Sequence, residues 1–251
     1  MKVCIVGAGG VGGLLAAVLR KASVDVSLLV TERHKAAIRQ RGLTLIGPDG
    51  RFAVQLQAET DAAAIGVCDV VIVTVKMWAV DALAPTLWPL LKADTAVIPL
   101  QNGIDAPEVL AKTLGWEHVV YGSISMNAAI EEPGVIHQKN PNTSITVAEK
   151  QARVSDRLSK VKAAFAAAGI TVSVSEDGPG LLWDKFIGLV SNSCARCCAR
   201  PWVWCRRTTT VGRSTAPCST RLLRSDVRRA YRCLRRKPPC GSRKHAQARR
   251  W

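Results

Sequence analysis

A cluster of glycines directly after a short apolar segment constrains the fold of this chain more than any other feature. Residues 2–6 read Lys-Val-Cys-Ile-Val and have the character of a short buried strand. Residues 7–12 read Gly-Ala-Gly-Gly-Val-Gly and fit the pattern G-x-G-x-x-G. A leucine- and alanine-rich stretch over residues 11–21 then predicts a helix, and residues 24–30 predict a second strand. This order predicts a β-α-β unit with parallel strands.

In this context the glycine pattern indicates a site for a dinucleotide. Gly7 permits a tight turn, Gly9 has no side chain to obstruct a diphosphate, and Gly12 lets the helix pack close to the strand. The start of the helix offers unpaired N–H groups and the positive end of its dipole to the phosphates. We therefore expect cofactor contacts from Gly7, Ala8, Gly9, Gly10, Val11 and Gly12. A glycine-rich turn that binds nothing is the alternative.

The end of the second predicted strand bears on the choice between NAD and NADP. An acid there binds the ribose 2′-hydroxyl, whereas an arginine accommodates a 2′-phosphate. Val30 is followed by Thr31, Glu32, Arg33 and His34. Because no acid occupies the strand end itself, we expect NADP, with Arg33 at the 2′-phosphate. Glu32 is the argument for NAD, and a solvated charge on the next helix is the alternative for Arg33.

Strand-like and helix-like segments alternate along the chain as far as about residue 191. We predict strands over 70–75, 95–100, 119–126 and 170–174, a hairpin over 43–56, an edge strand or hairpin over 137–147, and helices over 32–40, 79–91, 107–114, 155–168 and 181–191. Such alternation favours an α/β fold of the Rossmann-like type, with a doubly wound and mainly parallel sheet.

The net charge of +16 lies entirely in the last part of the chain. Residues 194–251 contain 15 Arg and 2 Lys against a single acid, Asp226, whereas residues 1–193 balance 18 basic with 18 acidic side chains. Seven of the nine cysteines are also in residues 194–251. No helical or strand period persists there, and Leu, Ile and Val are too few to build a core. We expect a disordered basic tail over residues 194–251.

We interpret this tail as a frameshifted translation, because GC-rich codons read out of frame yield Arg, Ala, Pro, Cys and Trp. Residues 202–205 read Trp-Val-Trp-Cys, which a shifted frame would read as Gly-Val-Val if Val203 is encoded by GTG. The family that the chain resembles, described below, continues into a helical domain and has a similar Gly-Val-Val run soon after that helix begins. The nucleotide sequence tests this interpretation, and the absence of a helical-domain resemblance in either other frame would refute it. A nucleic-acid-binding arm is one alternative. A zinc module on Cys194 and Cys197 is another, but no second pair of ligands follows at a suitable distance. We therefore expect neither specific nucleic acid nor a metal as a partner.

Three further segments complete a recognisable pattern. They are residues 73–78 (Val-Thr-Val-Lys-Met-Trp), 99–103 (Pro-Leu-Gln-Asn-Gly) and 183–186 (Trp-Asp-Lys-Phe). Together with the glycine pattern, their order and spacing resemble ketopantoate reductase (2-dehydropantoate 2-reductase) over residues 1 to about 193. The resemblance implies NADPH-dependent reduction of 2-dehydropantoate to (R)-pantoate in pantothenate biosynthesis. A reductase of another small 2-oxo acid and a catalytically dead product are the alternatives.

The resemblance also implies roles for individual residues. It places Lys76 and Ala128 beside the cofactor, Asn102 at the nicotinamide ribose and the substrate, and Lys185 at the substrate as the catalytic lysine. Hydride transfer to a ketone builds negative charge on the oxygen, which an ammonium group stabilises and protonates. Simpler readings exist for three of them: Lys76 as a strand-end charge, Asn102 as a turn residue before Gly103, and Lys185 as an exposed helix lysine.

The chain departs from the family near its catalytic lysine. Leu189 stands one helical turn after Lys185, where the family usually has a substrate-binding asparagine, and Asn192 is out of phase with that face. The family then continues into a helical domain that we do not recognise in the tail. We predict an NADP-binding domain over residues 1–176 and the start of a helical substrate domain over residues 177–193.

The sequence carries less information on the cellular location and the oligomeric state than on the fold. No stretch has the length and apolar character needed to span a bilayer, and the first residues do not resemble a signal peptide. We therefore expect a cytoplasmic protein without membrane contacts. Nothing in the pattern predicts an oligomer.

Overall fold

The predicted β-α-β unit begins the computed structural model, which describes residues 1–151 and 155–197, with side chains as far as residue 190. Strand β1 (Lys2–Val6) leads into helix α1 (Gly10–Lys21) and then into strand β2 (Asp25–Leu29). The two strands pair in parallel, with Val6 opposite Leu29. Helix α1 buries its leucines and alanines, which form part of the largest hydrophobic cluster, and this burial holds the helix on the sheet.

The hairpin predicted over residues 43–56 is confirmed. Helix α2 (Glu32–Arg41) precedes strands β3 (Leu43–Gly47) and β4 (Gly50–Val54), which are antiparallel. Gly47 lies opposite Gly50, which has a φ of +105°. Since a positive φ favours glycine, the two-residue turn between these strands follows directly from the sequence.

A parallel sheet of five strands forms the centre of the fold. It adds β5 (Gln57–Glu59), β6 (Val70–Val73) and β7 (Ala96–Pro99) to the first two strands, in the order β5-β2-β1-β6-β7. Both faces of β1, β6 and β7 are buried, as the continuous apolar runs predict. The order reverses at β1, which is the arrangement of a doubly wound sheet, and the Rossmann-like α/β class is confirmed.

The segment between β6 and β7 is less regular than the predicted helix over residues 79–91. Only α3 (Val80–Leu83) is α-helical, and Ala84–Leu90 forms a 3-10 turn. Pro85 and Pro89 explain the difference, because proline lacks an N–H and clashes with the preceding helical turn.

A second, mixed sheet lies beyond the parallel one. After α4 (Ala106–Leu114), strand β8 (Tyr121–Ser125) leads to β9 (Ala128–Glu132) and β10 (Val135–Gln138). Strand β10 pairs in parallel with β3 and antiparallel with β9, which gives the order β4-β3-β10-β9. Strand β9 was not predicted, because its five residues are mostly exposed and carry no apolar alternation.

The remaining strands form a third sheet. Strand β11 (Ser144–Ala148) pairs antiparallel with β8 and in parallel with β12 (Thr171–Val174), and α5 (Asp156–Ala167) connects β11 to β12. The prediction of one edge strand or hairpin over residues 137–147 is wrong, since β10 and β11 belong to different sheets. The Asn-Pro-Asn turn at residues 140–142 breaks the segment, a signal that the apolar pattern alone did not reveal.

The last described helix, α6 (Gly178–Cys197), belongs to the same compact unit, Met1–Ala199. It packs on β8 through Leu182, which clusters with Tyr121 and Ala148. A β-carbon on Gly178 would overlap the ring of Tyr121, so this glycine allows the close approach. The predicted boundaries at residues 176 and 193 stay predictions.

The predicted tail is largely beyond the described part of the chain. The segment interpreted as frameshifted and disordered lies outside the described residues from residue 198 onward, and the side chains of Cys194 and Cys197 lie outside them as well. Among the helices that are described, none combines the length and apolar character needed to cross a membrane.

Candidate functional site

The carboxyl ends of the central strands bring most of the predicted site residues to one edge of the sheet. Val6, Leu29 and Val73 lie at the same level, and Pro99 lies opposite Val73. The segments that leave these four strands contain the glycine loop, Arg33, Lys76 and Asn102 in turn. In an open parallel sheet, ligands bind at this edge where the strand order reverses.

The glycine loop has the geometry that a diphosphate requires. Gly7 has a φ of +99° and donates its N–H to the carbonyl of Leu29 at 2.9 Å. Gly9 precedes α1 with a φ of −71°, and the space where its β-carbon would lie contains no atom within 4 Å. A β-carbon on Gly12 would overlap the carbonyl of Gly7, so α1 packs tightly on the strand. The loop thus has a turn, an opening and a close packing contact at the three positions.

Gly10 and Ala128 are brought together by packing. A β-carbon on Gly10 would lie 2.5 Å from the carbonyl oxygen of Ala128. The first turn of α1 therefore lies against the backbone at the start of β9. Gly13, which the sequence analysis did not single out, has a similar relationship with the side chain of Ile136. These contacts place Ala128 beside the glycine loop, as its predicted role requires.

The loops after β6 and β7 are joined by a side chain that the sequence analysis missed. Gln101 donates from Nε2 to the carbonyl of Val75 at 3.1 Å. This bond connects the loop of Lys76 to the loop of Asn102, and both of these side chains are exposed. The Oε1 atom of Gln101 is buried without a hydrogen-bond partner in the described part of the chain. The signal in the sequence that points to Gln101 is its position directly before the Asn-Gly pair at residues 102 and 103.

The first turn of α2 presents Arg33 to solvent at the end of β2. Lys35, farther along the helix, is bound to Glu59 of β5 at 2.9 Å. This hydrogen bond lowers the pKa of Glu59, so the carboxylate of that edge strand is already paired. Burial lowers the pKa of His34, and the neighbouring Arg33 charge lowers it further. Arg33 is therefore the basic side chain of this turn that is placed to meet an anion.

Lys185 occupies a partly buried position on α6. Leu182, three residues earlier, contacts a cluster that includes Ile104, which lies just beyond the Asn102 loop. The Nζ atom of Lys185 is buried and has no hydrogen-bond partner among the described residues. Burial lowers the pKa of this amine, because the low-dielectric surroundings disfavour its charged form. A buried ammonium group without a hydrogen-bond partner lowers the stability of the fold, but it is well suited to bind an anionic oxygen.

The glycine loop at this edge and Lys185 on α6 have different chemical capacities. The open space at Gly9 and the unpaired N–H groups at the start of α1 fit a diphosphate. The amine of Lys185 can stabilise and protonate an oxygen that gains negative charge. No group of three or more His, Cys, Asp or Glu residues within the described ranges is arranged to hold a metal ion.

Comparison with known proteins gives one consistent set of relatives. A 2-dehydropantoate 2-reductase of Nostoc sp. is 31% identical over 192 residues, which cover 74% of this chain and 60% of the relative. The crystal structure of 2-dehydropantoate 2-reductase from Geobacter metallireducens superposes with a TM-score of 0.72 at 27% identity, covering 79% of this chain and 66% of that one. The fold alone is shared with D-mandelate dehydrogenase, solved with NADH and anilino(oxo)acetate (TM-score 0.65, 21% identity, 71% of this chain and 58% of that one).

The family assignment rests on the part of the chain that forms the carboxyl edge of the parallel sheet. The chain spans about 60% of the length of the Nostoc relative. The family model described as ketopantoate reductase PanE/ApbA matches residues 3–152, more than half of the chain. This range contains the glycine loop, Lys76, Asn102 and Ala128. The chain therefore belongs to the ketopantoate reductase PanE/ApbA family.

Proposed function

We propose that this chain binds NADPH at the carboxyl edge of its parallel sheet and reduces 2-dehydropantoate to (R)-pantoate, a step of pantothenate biosynthesis. One observation carries the proposal: the start of α1 is open at Gly9, where a side chain would otherwise project into the space for a diphosphate. The family membership supports the same reading, and so does the buried amine of Lys185.

The proposed cofactor contacts follow the edge of the sheet. The N–H groups in the first turn of α1 have no intrahelical acceptor and would bind the diphosphate. Arg33 would bind the 2′-phosphate that distinguishes NADPH from NADH. Lys76, Asn102 and Ala128 would line the nicotinamide half, since they follow strands on the other side of β1 or pack on α1. When bound, NADPH supplies the hydride for the reduction.

The proposed chemical role of the protein is carried by two side chains. Lys185 would bind the substrate's carbonyl oxygen through its ammonium group, stabilise the negative charge that develops there, and donate a proton to it. Its lowered pKa makes it a stronger acid than an ordinary lysine, which favours this proton transfer. Asn102 would orient the substrate with its amide group, so that hydride and carbonyl carbon meet in a reactive geometry.

A comparison of two glycine substitutions tests the proposal. Gly9→Ala should fold normally, because the backbone at Gly9 (φ −71°, ψ −174°) suits any residue and the added methyl meets no atom. It should nevertheless weaken NADPH binding at least tenfold. Gly188→Ala, at an exposed helical glycine with equal room, serves as the matched control and should bind NADPH like the wild type.

Turnover is measured separately, by oxidation of NADPH with 2-dehydropantoate and with other small 2-oxo acids. Faster reaction with another 2-oxo acid would replace the substrate but leave the cofactor assignment in place. Tighter binding of NADH than of NADPH would assign the 2′-hydroxyl to Glu32 instead. A folded wild-type chain that binds neither nucleotide would overturn the whole proposal.

A further inference from the structure

We infer that Thr74 fixes the orientation of the Gly7–Ala8 peptide, so that an N–H group and not a carbonyl faces the diphosphate. Thr74 directly follows β6 and lies on the family-like segment 73–78, yet the sequence analysis gave it no role. The inference rests on the proposed dinucleotide binding and adds a positioning residue to it.

The first evidence is the hydrogen bonding of Thr74. Its Oγ1 lies 2.9 Å from the carbonyl oxygen of Val6 and 3.0 Å from that of Gly7. A hydroxyl group has a single proton to donate. The carbonyl of Val6 already accepts the backbone N–H of Thr74 at 2.9 Å. The carbonyl of Gly7 therefore has the greater need of the hydroxyl proton.

The second evidence is the enclosure of the Gly7 carbonyl. A β-carbon on Gly12 would overlap this oxygen and would lie 2.5 Å from Oγ1 of Thr74. The Gly7 oxygen thus lies between the first turn of α1 and the threonine, in a space that only a glycine at position 12 leaves open. The oxygen is therefore enclosed by protein, whereas the β-carbon position at Gly9 is open.

The consequence follows from the planarity of the peptide group. In a trans peptide the C=O and the next N–H point in opposite directions. When the Gly7 carbonyl points to Thr74, the N–H of Ala8 points away from it, toward the side where the diphosphate would lie. A flipped peptide would instead present a partially negative oxygen to two phosphate groups.

An anchor is needed because glycine is conformationally permissive. Gly7 has a φ of +99°, in a region where glycine has other accessible conformations close in energy. The hydrogen bond from Thr74 selects one of them before the ligand arrives. This preorganisation raises affinity, because binding then includes no cost for reorienting the peptide.

Two substitutions separate the hydroxyl from the shape of the side chain. Thr74→Val keeps the branched shape and removes the hydroxyl, whereas Thr74→Ser keeps the hydroxyl. In the full chain, titrated with NADPH and with NADH while tryptophan fluorescence is followed, we expect Thr74→Val to raise both Kd values about tenfold, as the loss of one anchored hydrogen bond implies. Because both nucleotides carry the diphosphate, the two factors should be equal. Thr74→Ser should remain within about twofold of the wild type.

A second measurement needs no ligand. The N–H of Gly7 donates to the carbonyl of Leu29, so its hydrogen exchange reports on the loop. We expect faster exchange of this amide in Thr74→Val and wild-type exchange in Thr74→Ser. Thr74→Ala replaces the valine variant if circular dichroism shows that the latter does not fold.

The outcomes are distinguishable. If the wild type binds a nucleotide and removal of the hydroxyl leaves both Kd values unchanged, the inference on Thr74 is wrong while the proposed function stands. If the wild type binds neither nucleotide, the proposed function fails and the diphosphate part of the inference fails with it, and the exchange of the Gly7 amide then decides whether Thr74 holds the loop. Exchange that does not respond to the hydroxyl overturns it.

Discussion

The carbonyl oxygen of Ala128 lies 2.5 Å from the point where Gly10 would carry a β-carbon, so the start of β9 and the first turn of α1 meet backbone to backbone. Gly10 and Ala128 are 118 positions apart in the sequence. The contact joins the second sheet to the helix whose N-terminus would hold the diphosphate. Gly10 is therefore required for packing, in addition to any amide that it offers to the cofactor.

Gly10→Ala should destabilise the protein, because the new methyl group meets rigid backbone and not a flexible side chain. We expect the free energy of unfolding to fall by about 1–3 kcal/mol, measured by chemical denaturation. Gly9→Ala, at the neighbouring open position, is the control and should leave stability within about 0.5 kcal/mol of the wild type. Equal stabilities for the two variants would contradict the packing role of Gly10.

Lys185→Met should raise stability while it abolishes the proposed reduction of 2-dehydropantoate. Burial lowers the pKa of Lys185, so the folded chain holds this proton less tightly than the unfolded chain does. At neutral pH the folded state therefore carries a penalty for the buried charge, which methionine removes. We expect the Tm to rise by about 2 °C or more. Lys160→Met, at an exposed lysine on α5, is the control and should change neither Tm nor turnover. A lower Tm for Lys185→Met would instead show that the amine has a stabilising partner.

The same lowered pKa predicts the pH dependence of turnover. Lys185 must be protonated in order to donate a proton, so kcat/KM, which reports on the free enzyme, should fall as pH rises through its pKa. This alkaline limb should lie below the ordinary lysine range, because burial disfavours the ammonium form. Wild-type stability should meanwhile increase between the lowered pKa and the unfolded value, since the unfolded chain binds more protons in that window. A rate profile without an alkaline limb below the ordinary range would assign the proton donor elsewhere.

The sequence predicted the central part of the site because its signals are local. The positive φ of Gly7 and the close packing of Gly12 follow from the spacing of glycines after a strand. The contact of Gly10 with Ala128 and the bond from Gln101 to Val75 could not be predicted in this way, since each joins segments that only the folded chain brings together. Local patterns specify which residues must be small or buried, whereas the partner across the sheet depends on topology.

The division into three sheets was missed for a related reason. Strands β10 and β11 are short and only partly buried, and their alternation does not indicate which strand each one pairs with.

The roles predicted for Arg33, Lys76, Asn102 and Lys185 concern a ligand, and they stay predictions until nucleotide binding is measured.

Arg33 should determine the preference between the two nucleotides. Arg33→Ala removes a charge-assisted bond to the 2′-phosphate, and we expect the Kd for NADPH to rise about tenfold or more. The Kd for NADH should change little, because NADH lacks this phosphate. Arg39→Ala, at another exposed arginine of α2, is the control for a general loss of positive charge. Similar effects of Arg33→Ala on both nucleotides would remove Arg33 from the 2′-phosphate site.

Arg157 of α5 binds Glu149 near the amino end of β7, at the end of the parallel sheet opposite the candidate site. We expect substitutions there to change stability and to leave nucleotide binding unchanged. Two charge-assisted bonds of 2.8 and 2.7 Å join the side chains, and Arg157 also donates to the carbonyls of Thr95 and Glu117. Glu149 is only 7% exposed and also accepts a bond from Oγ of Ser155, and Arg157 supplies the positive charge beside this largely buried carboxylate. These bonds connect the third sheet to the segment that enters β7.

Arg157→Met should therefore lower the free energy of unfolding by about 3–5 kcal/mol, because it removes the cation that binds a buried carboxylate. Lys92→Met breaks the exposed ion pair with Asp69, in which the side chains of Lys92 and Asp69 are 42% and 37% exposed. It should lower the free energy of unfolding by only about 0–1 kcal/mol. Neither substitution should change the Kd for NADPH in the folded chain, since Arg157 contacts Thr95 before β7 and Lys92 contacts Asp69 before β6, at the amino ends of these parallel strands. A higher Kd for NADPH in Arg157→Met, measured under conditions where the variant is fully folded, would mean that the third sheet helps to position the carboxyl edge of the parallel sheet.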